Sequence, residues 1–215
     1  LFVLSFADSV RVVSERVAKS VKSLSNNVSV LPIYTGRNES RVKYQRLLER
    51  SEIKKVNILT VCRLEKEKDL ETAIRVFKNI LDNNIDAKFT IVGDGNERQS
   101  LGLLVKKLGI ESKVVFTGWD NNLDDYYENA DIYLSTSLYE GYGMSIVEAA
   151  SFGLPLVISD TGVAGYMFKD QKEAVICKQK NIAAFTEAIL KLISNIDLRS
   201  QMGNKAKKVS DENKI

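Results

Sequence analysis

The sequence contains no histidine among its 215 residues. The commonest general base and the commonest metal ligand are therefore missing, which argues against a Ser-His-Asp type triad or a zinc hydrolase within this chain. Only two cysteines occur, Cys62 and Cys177, far apart and without a CxxC partner, so neither a disulfide framework nor a thiolate metal site is indicated. Both are expected to pack as small apolar residues in a reducing, cytoplasmic compartment. No apolar run approaches the roughly 18 residues that span a bilayer, and the opening LFVLSFADS lacks a signal-peptide layout. A soluble protein is expected. Charge bias is slight as well: 31 basic against 28 acidic residues leave +3, whereas a nucleic-acid partner would bring a sharper basic excess.

What is present is core material. Hydrophobic residues make up 44% of the chain and charged ones 27%, an ordinary globular balance with room for one full α/β domain plus a piece, or two small domains. The chain opens on Leu1 rather than methionine, and a fragment of a longer protein is expected. Residues 9–13 (SVRVV) read as a short strand, Ser14 as an N-cap, and Val17, Val21 and Leu24 fall at helical spacing. Val28 to Leu31 reads as a second strand ending at Pro32. Residues 1–35 are thus expected to be the tail of an earlier domain, followed over 36–55 by a polar linker with one helix near Arg41 to Glu49.

From Val56 short β-branched runs alternate with amphipathic helical stretches. The predicted strands are Val56–Val61, Lys88–Val92, Val114–Phe116, Ile132–Leu134, Leu156–Ile158 and, more weakly, Ala174–Ile176. Between them lie three apolar stripes: Leu70, Ala73, Ile74, Phe77 and Leu81; Leu101, Leu104, Val105 and Leu108, closed by Gly109 as C′; and Phe185, Ala188, Ile189, Leu192 and Ile193. Each stripe reads as a core face. This alternation predicts an α/β domain over 56–195, a doubly wound parallel sheet covered on both faces, and then a C-terminal helix over 196–215.

In such sheets ligands bind beyond the carboxyl ends of the strands. The segments that follow the predicted strands are CRLEKEK, GDGNE, TGWDNN, STSLYEGYG and SDTGVAG, rich in glycine, hydroxyls and charge. The most informative is EGYGMSIVEAASFG, residues 140–153. It sets Glu140 in a loop with Gly141 and Gly143, then starts a helix at Met144 that carries Glu148. Glycines before a helix let backbone approach a ligand, and the exposed N–H groups favour an anion. Two carboxylates beside an anion site suit a ligand that is phosphorylated and rich in hydroxyls. Alone, two glutamates around a glycine turn are usually solvated charges; convergence of the loops on one edge favours the site. Arg63 and Lys68, which follow the first strand of this domain, could neutralise a diphosphate, Arg as a fork and Lys as a point charge.

Taken in order, VCRLEKEKDLETAIRVF, FTIVGDGNE, VVFTGW and ADIYLSTSLYEGYGMSIVEAASFGLPLVISD resemble the C-terminal domain of the group 1 (family 4) retaining glycosyltransferases of GT-B architecture. The likeness covers about residues 56 to 195, and the E-x7-E pair is its most specific motif. ADSVRVVSERVAKSV with VSVLPIYTG resembles the end of that family's N-terminal domain.

The resemblance implies a Rossmann-like GT-B C-terminal domain that binds a nucleotide-diphosphate sugar, a UDP- or GDP-sugar, without a cofactor or metal. It assigns Arg63 and Lys68 to the diphosphate, Glu140 to the neighbourhood of the donor sugar, Glu148 to the ribose hydroxyls, and Gly93, Gly95, Gly141, Tyr142, Gly143 and Met144 to the surrounding contacts. It also implies sugar transfer with retention to an unspecified acceptor, a glycan or lipid-linked saccharide, in cell-surface polysaccharide or glycoconjugate synthesis. The loop SDTGVAGYMFKD departs from the family's Gly-Gly followed by Pro-Glu: Gly162 is kept, Val163 replaces the second glycine, and the acid is missing. The family's acceptor site and an often essential histidine belong to its N-terminal domain, so this chain by itself is expected to bind donor and transfer little.

Two other readings stand beside this one. A nucleotide-sugar epimerase or phosphorylase of related fold is disfavoured by the Arg63/Lys68 pair with E-x7-E. A non-catalytic interaction module is left open by the altered TGVAG loop. Lys191, Lys205, Lys207 and Lys208 raise a peripheral contact with anionic lipid at the inner face of the membrane, although such lysines usually form a solvated helix face.

Overall fold

The computed structural model describes residues 9–22, 25, 27–31 and 55–213. Its first part is small. Strand β1 (Val10–Val12) runs parallel to β2 (Val28–Val30), Val10 opposite Val28, and α1 (Glu15–Val21) connects them. Ser14 is extended, at φ −155° and ψ 157°, and its Oγ accepts from the Val17 amide, the cap expected from its position. Val10, Val12 and Ala18 make a small core of their own. The helix expected near Arg41 to Glu49 lies outside the described residues.

The second part is the predicted α/β domain. Its strands are β3 (Val56–Val61), β4 (Ala87–Val92), β5 (Val114–Gly118), β6 (Ile132–Ser135), β7 (Leu156–Ser159) and β8 (Ala174–Cys177). They form one sheet in the order β5-β4-β3-β6-β7-β8, and every pairing is parallel. The chain winds outward from β3 through β4 to β5, returns to lay β6 on the other side of β3, and winds outward again. The direction of winding reverses between β3 and β6, and a crevice opens there at the carboxyl edge.

Six helices cover this sheet: α2 (Leu70–Asp82), α3 (Arg98–Lys107), α4 (Asp124–Asn129), α5 (Met144–Ser151), α6 (Ile182–Ser194) and α7 (Ile196–Glu212). Side-chain alternation along the strands supplies two cores. Ile58 and Val157 face Ala73, Phe77, Leu101, Phe185 and Ile189; Leu59, Leu156 and Ile158 face Tyr127, Ile146, Ala150 and Phe168. Burying such side chains stabilises by roughly 1.5–3 kcal/mol each, and Phe77 and Phe89 meet at 5.4 Å between ring centroids. Helix α7 joins the two layers, Met202 in the first and Ala206 in the second.

Differences from the sequence reading are local. Strand β5 continues two residues past Phe116, with a register shift opposite Ile91 and Val92. Helix α4, DDYYEN, had no apolar stripe to announce it; Tyr127 anchors it in the core. The C-terminal helix begins at Ile196 with Asn195 as its cap, its side chain accepting from the Leu198 amide. Among the basic residues near the C-terminus, Lys207 pairs with Asp211 at 3.0 Å and Lys208 with Glu212 at 3.8 Å. No helix among the described residues is long and apolar enough to cross a membrane.

Candidate functional site

Two loops leave the sheet on either side of the switch point, one after β3 and one after β6. They are tied together by backbone. Leu138 N donates to Glu67 O at 2.7 Å, and Thr136 Oγ1 lies 3.2 Å from Lys68 O and 2.9 Å from Asp69 O. Asp69 adopts the left-handed region at φ 47°, a strained conformation for a residue with a Cβ. Its carboxylate accepts from Thr72 Oγ1 at 2.8 Å, and burial raises its pKa. This stitching fixes the short 3-10 turn Lys66–Lys68 against the β6 loop.

As a result Lys68 Nζ meets Glu140 Oε1 at 2.8 Å, with side chains only 13% and 14% exposed. Ser137 Oγ donates to the same oxygen at 2.8 Å. The second oxygen of Glu140 is left to other partners. Eight residues on, one turn into α5, Glu148 Oε2 accepts from the buried Tyr127 hydroxyl at 2.8 Å. Tyr127 is held in turn by a stacked contact with Phe152, 5.2 Å between centroids. The Tyr133 hydroxyl lies 2.8 Å from Ser145 Oγ and 3.3 Å from Val61 O. Burial pushes its pKa far up, so it stays protonated and able to donate.

Around these groups lies a cleft of about 500 Å³. Arg63, Lys68, Gly93, Glu140, Tyr142, Gly143, Met144 and Glu148, all singled out from the sequence, line it together. Arg63 is 67% exposed at the rim and pairs with Glu67 at 3.3 Å. Gly93, at φ 129°, lies so close to the β3 loop that a Cβ there would fall 1.9 Å from Cys62 O; only glycine fits this floor. Gly95 and Gly141 are not among the lining residues. Gly95 packs under Leu64, where an added Cβ would sit 2.5 Å from its carbonyl oxygen. The Gly141 carbonyl accepts from Ser14 Oγ at 2.6 Å.

The loop after β7 supports the site from behind. Val163 N donates to Tyr142 O at 2.9 Å. Gly162 has φ 53°, and a Cβ on it would lie 2.2 Å from Tyr142 O and 2.9 Å from Glu140 Cβ. The glycine kept in the SDTGVAG loop is therefore what lets the two loops close against each other.

Several lining residues carried no sequence signal of their own. Trp119, Asp120, Asn121 and Leu123, in the loop after β5, form the far wall. Trp119 is 70% exposed, and its indole N–H donates to Asn121 Oδ1 at 3.0 Å. Asp120 accepts from the Asn122 amide and the Tyr126 hydroxyl, each at 2.9 Å. These contacts lower its pKa. Their position after a strand was the one available clue. Tyr127, Tyr133, Ser137 and Ser145 could not be selected without knowing which helix packs where. Burial pushes the Cys62 thiol up to about 12, Lys68 opposing and Glu140 reinforcing the shift, so Cys62 lines the cleft as a neutral group. Among the described residues no three His, Cys, Asp or Glu side chains cluster as a metal site.

Comparison with known proteins matches residues 45–209 to the family described as glycosyl transferases group 1. The chain belongs to that family. An uncharacterized glycosyltransferase of Haemophilus influenzae is 32% identical over 156 residues, 72% of this chain and 44% of its own length. In Campylobacter jejuni the N-acetylgalactosamine-N,N'-diacetylbacillosaminyl-diphospho-undecaprenol 4-alpha-N-acetylgalactosaminyltransferase is 29% identical over 164 residues, 76% of this chain and 44% of that protein. The chain thus spans less than half the length of these relatives. Among solved structures, a point mutant of S. aureus TarM in complex with Fondaparinux, alpha-GlcNAc-glycerol and UDP superposes with a TM-score of 0.84 at 21% identity, over 96% of this chain and 41% of that one. That likeness is one of fold, and it identifies the group 1 sheet as the Rossmann-like half of a GT-B architecture.

Proposed function

We propose that this chain carries the nucleotide-sugar donor site of a retaining glycosyltransferase that builds a polysaccharide or glycoconjugate. The observation that carries the reading is the convergence of Lys68, Glu140 and Glu148 on one cleft at the switch point of the sheet. Residues 56–195 form the donor-binding domain, residues 1–35 belong to the end of the acceptor domain, and 36–55 link them.

In this reading the diphosphate lies against the N-terminus of α5, where the backbone N–H groups after Gly143 are not all used within the helix. Lys68 supplies a fixed positive charge, and Arg63 swings in from the rim to add a second. As the bond from the anomeric carbon to the diphosphate breaks, negative charge grows on the leaving group. The two cations and the helix N-terminus stabilise that charge more than the charge of the bound donor. Glu148, aimed by Tyr127, accepts from the ribose hydroxyls. Glu140, held at one oxygen by Lys68 and Ser137, offers the other to a hydroxyl of the sugar. The nucleotide favoured is UDP, the one in the TarM complex. A lipid-linked saccharide is the acceptor class suggested by the name of the Campylobacter relative. The TGVAG loop, which departs from the family pattern, serves here as the support beneath Tyr142.

Calorimetric titration with UDP, GDP and ADP tests the donor assignment. Selective binding of UDP, weakened at least tenfold by Glu148→Ala and by Arg63→Ala with Lys68→Ala, is the expected result. Absence of binding to all three by the folded full-length protein would exclude it and favour a non-catalytic module.

A further inference from the structure

The first, small part of the structure reaches across to the loop after β6, which carries Glu140, and to the loop after β7, which supports it. Ser14 is 6% exposed. Its Oγ does two things at once: it caps α1 by accepting from the Val17 amide at 3.3 Å and donates to the Gly141 carbonyl at 2.6 Å. Val13 lies close by, its Cγ2 3.6 Å from where a Gly141 Cβ would be. In the first turn of α1, the Arg16 guanidinium addresses three acceptors of the β7 loop: Asp160 Oδ1 at 2.5 Å, Ala164 O at 3.0 Å and Gly162 O at 3.4 Å. Its Cζ also lies over the Tyr166 ring, 5.4 Å from the centroid, and Lys19 Nζ approaches the same ring at 5.0 Å.

These acceptors are not scattered. Gly141 is the residue after Glu140, and Gly162 is the residue on which Glu140 Cβ and Tyr142 O rest. Ser14 therefore grips the Glu140 loop directly, and Arg16 grips the loop beneath it. Two backbone carbonyls and one carboxylate around one side chain suit the several N–H donors of a guanidinium better than the point charge of a lysine.

We infer that Ser14 and Arg16 are positioning residues. They set Glu140 for the reaction by docking the segment before the linker onto the donor loops, so that order in those loops depends on contact between the two parts of the protein. The inference rests on the donor-site reading above. It differs from that reading in placing a determinant of turnover outside the cleft, on residues that touch no donor atom.

The docking has a kinetic signature that a purely structural contact lacks. Neither residue lines the cleft, so the affinity for nucleotide should survive their loss while the geometry at Glu140 does not. In the full-length protein, Ser14→Ala and Arg16→Ala are expected to raise amide exchange at 140–144 and 160–166 at least tenfold. They should also lower kcat for UDP release from UDP-glucose or UDP-N-acetylglucosamine at least tenfold, with UDP affinity and donor KM within threefold of wild type. Ser14→Thr, which keeps the hydroxyl, should restore both readouts. Arg16→Lys, which keeps the charge but not the fork, should restore neither fully. Lys22→Ala, exposed at the end of α1, is the control without effect.

Unchanged exchange at 140–144 with unchanged kcat in both alanine variants would overturn the inference, even if the melting temperature fell. A raised donor KM with intact kcat would overturn it as well, since the residues would then act on binding. Failure of the wild-type protein to bind UDP, GDP or ADP would instead sink the donor-site reading, and the exchange measurement would still decide whether the docking holds the loops.

Discussion

Lys68 and Glu140 stand 72 positions apart in the chain and 2.8 Å apart in space. They face each other because β3 and β6 are neighbours and the turn after one is hydrogen-bonded to the loop after the other. The pair is mostly enclosed, so each side chain depends on its partner for the interactions that water would otherwise supply. Lys68→Ala is expected to destabilise the fold by roughly 1–3 kcal/mol, because the enclosed Glu140 Oε1 loses the ammonium and keeps only the Ser137 hydroxyl as a donor among the described residues. Adding Glu140→Ala should recover a good part of that loss without recovering UDP binding. Urea denaturation and calorimetry on both single variants and the double variant measure the two effects separately.

Tyr127→Phe tests the aiming of Glu148. The ring stays stacked on Phe152, and only the hydroxyl that donates to Glu148 Oε2 is removed. A charge-assisted hydrogen bond contributes roughly 1.5–3 kcal/mol, of which stability should show a part. UDP affinity is expected to fall about three- to tenfold, read by titration. An unaltered affinity would mean that Glu148 finds its orientation without Tyr127.

Gly162→Ala should disturb the site through its floor. The added methyl would meet Tyr142 O at 2.2 Å, and the backbone there is at φ 53°. Strain at such a position costs roughly 1–3 kcal/mol before any clash is counted. A loss of at least about 2 kcal/mol in urea denaturation is expected, together with weakened UDP binding because Tyr142 and Glu140 are pushed forward.

Next to that glycine, Thr161 Oγ1 is buried without a hydrogen-bond partner among the described residues. Thr161→Val replaces the hydroxyl with a methyl of similar size and removes an unpaired polar group. The fold should be unchanged or more stable by up to roughly 1 kcal/mol. Denaturation midpoints compare the two directly; a clear loss of stability would mean that the hydroxyl has a partner in solution.

Cys62 and Cys177 set an alkaline limit. Burial pushes both thiols up to about 12, from an ordinary value of 9.0. The unfolded chain therefore releases these protons at lower pH than the folded one. The stability linked to them is fully present below pH 9 and is lost as pH rises from 9 toward 12. Between pH 8 and 10.5 the denaturation midpoint of the wild type should fall further than that of the Cys62→Ala/Cys177→Ala variant. In the folded protein, alkylation of both thiols by iodoacetamide at pH 8 should be far slower than in urea, since the thiolate is the reactive form.

The sheet and most of its helices were legible in the chain because their signal is local. Runs such as VNILTV and LPLVIS are continuous and β-branched, and the stripe from Leu70 to Leu81 repeats at helical spacing. Burial on both faces of a parallel sheet demands that pattern. Glu140, Glu148, Arg63 and Lys68 were legible for a second reason: loops after parallel strands share one edge whatever the strand order. What sequence could not contain is which of those loops become neighbours. Strand order alone makes β3 and β6 adjacent, and so turns Lys68 and Glu140 into a buried pair. Only packing brings the Tyr127 hydroxyl to Glu148, and only the close approach of two loops makes Gly162 indispensable. The docking of Ser14 and Arg16 belongs to the same class. Ser14 was readable as a helix cap from its neighbours, but its second bond, to a carbonyl 127 positions away, exists only once the chain has folded.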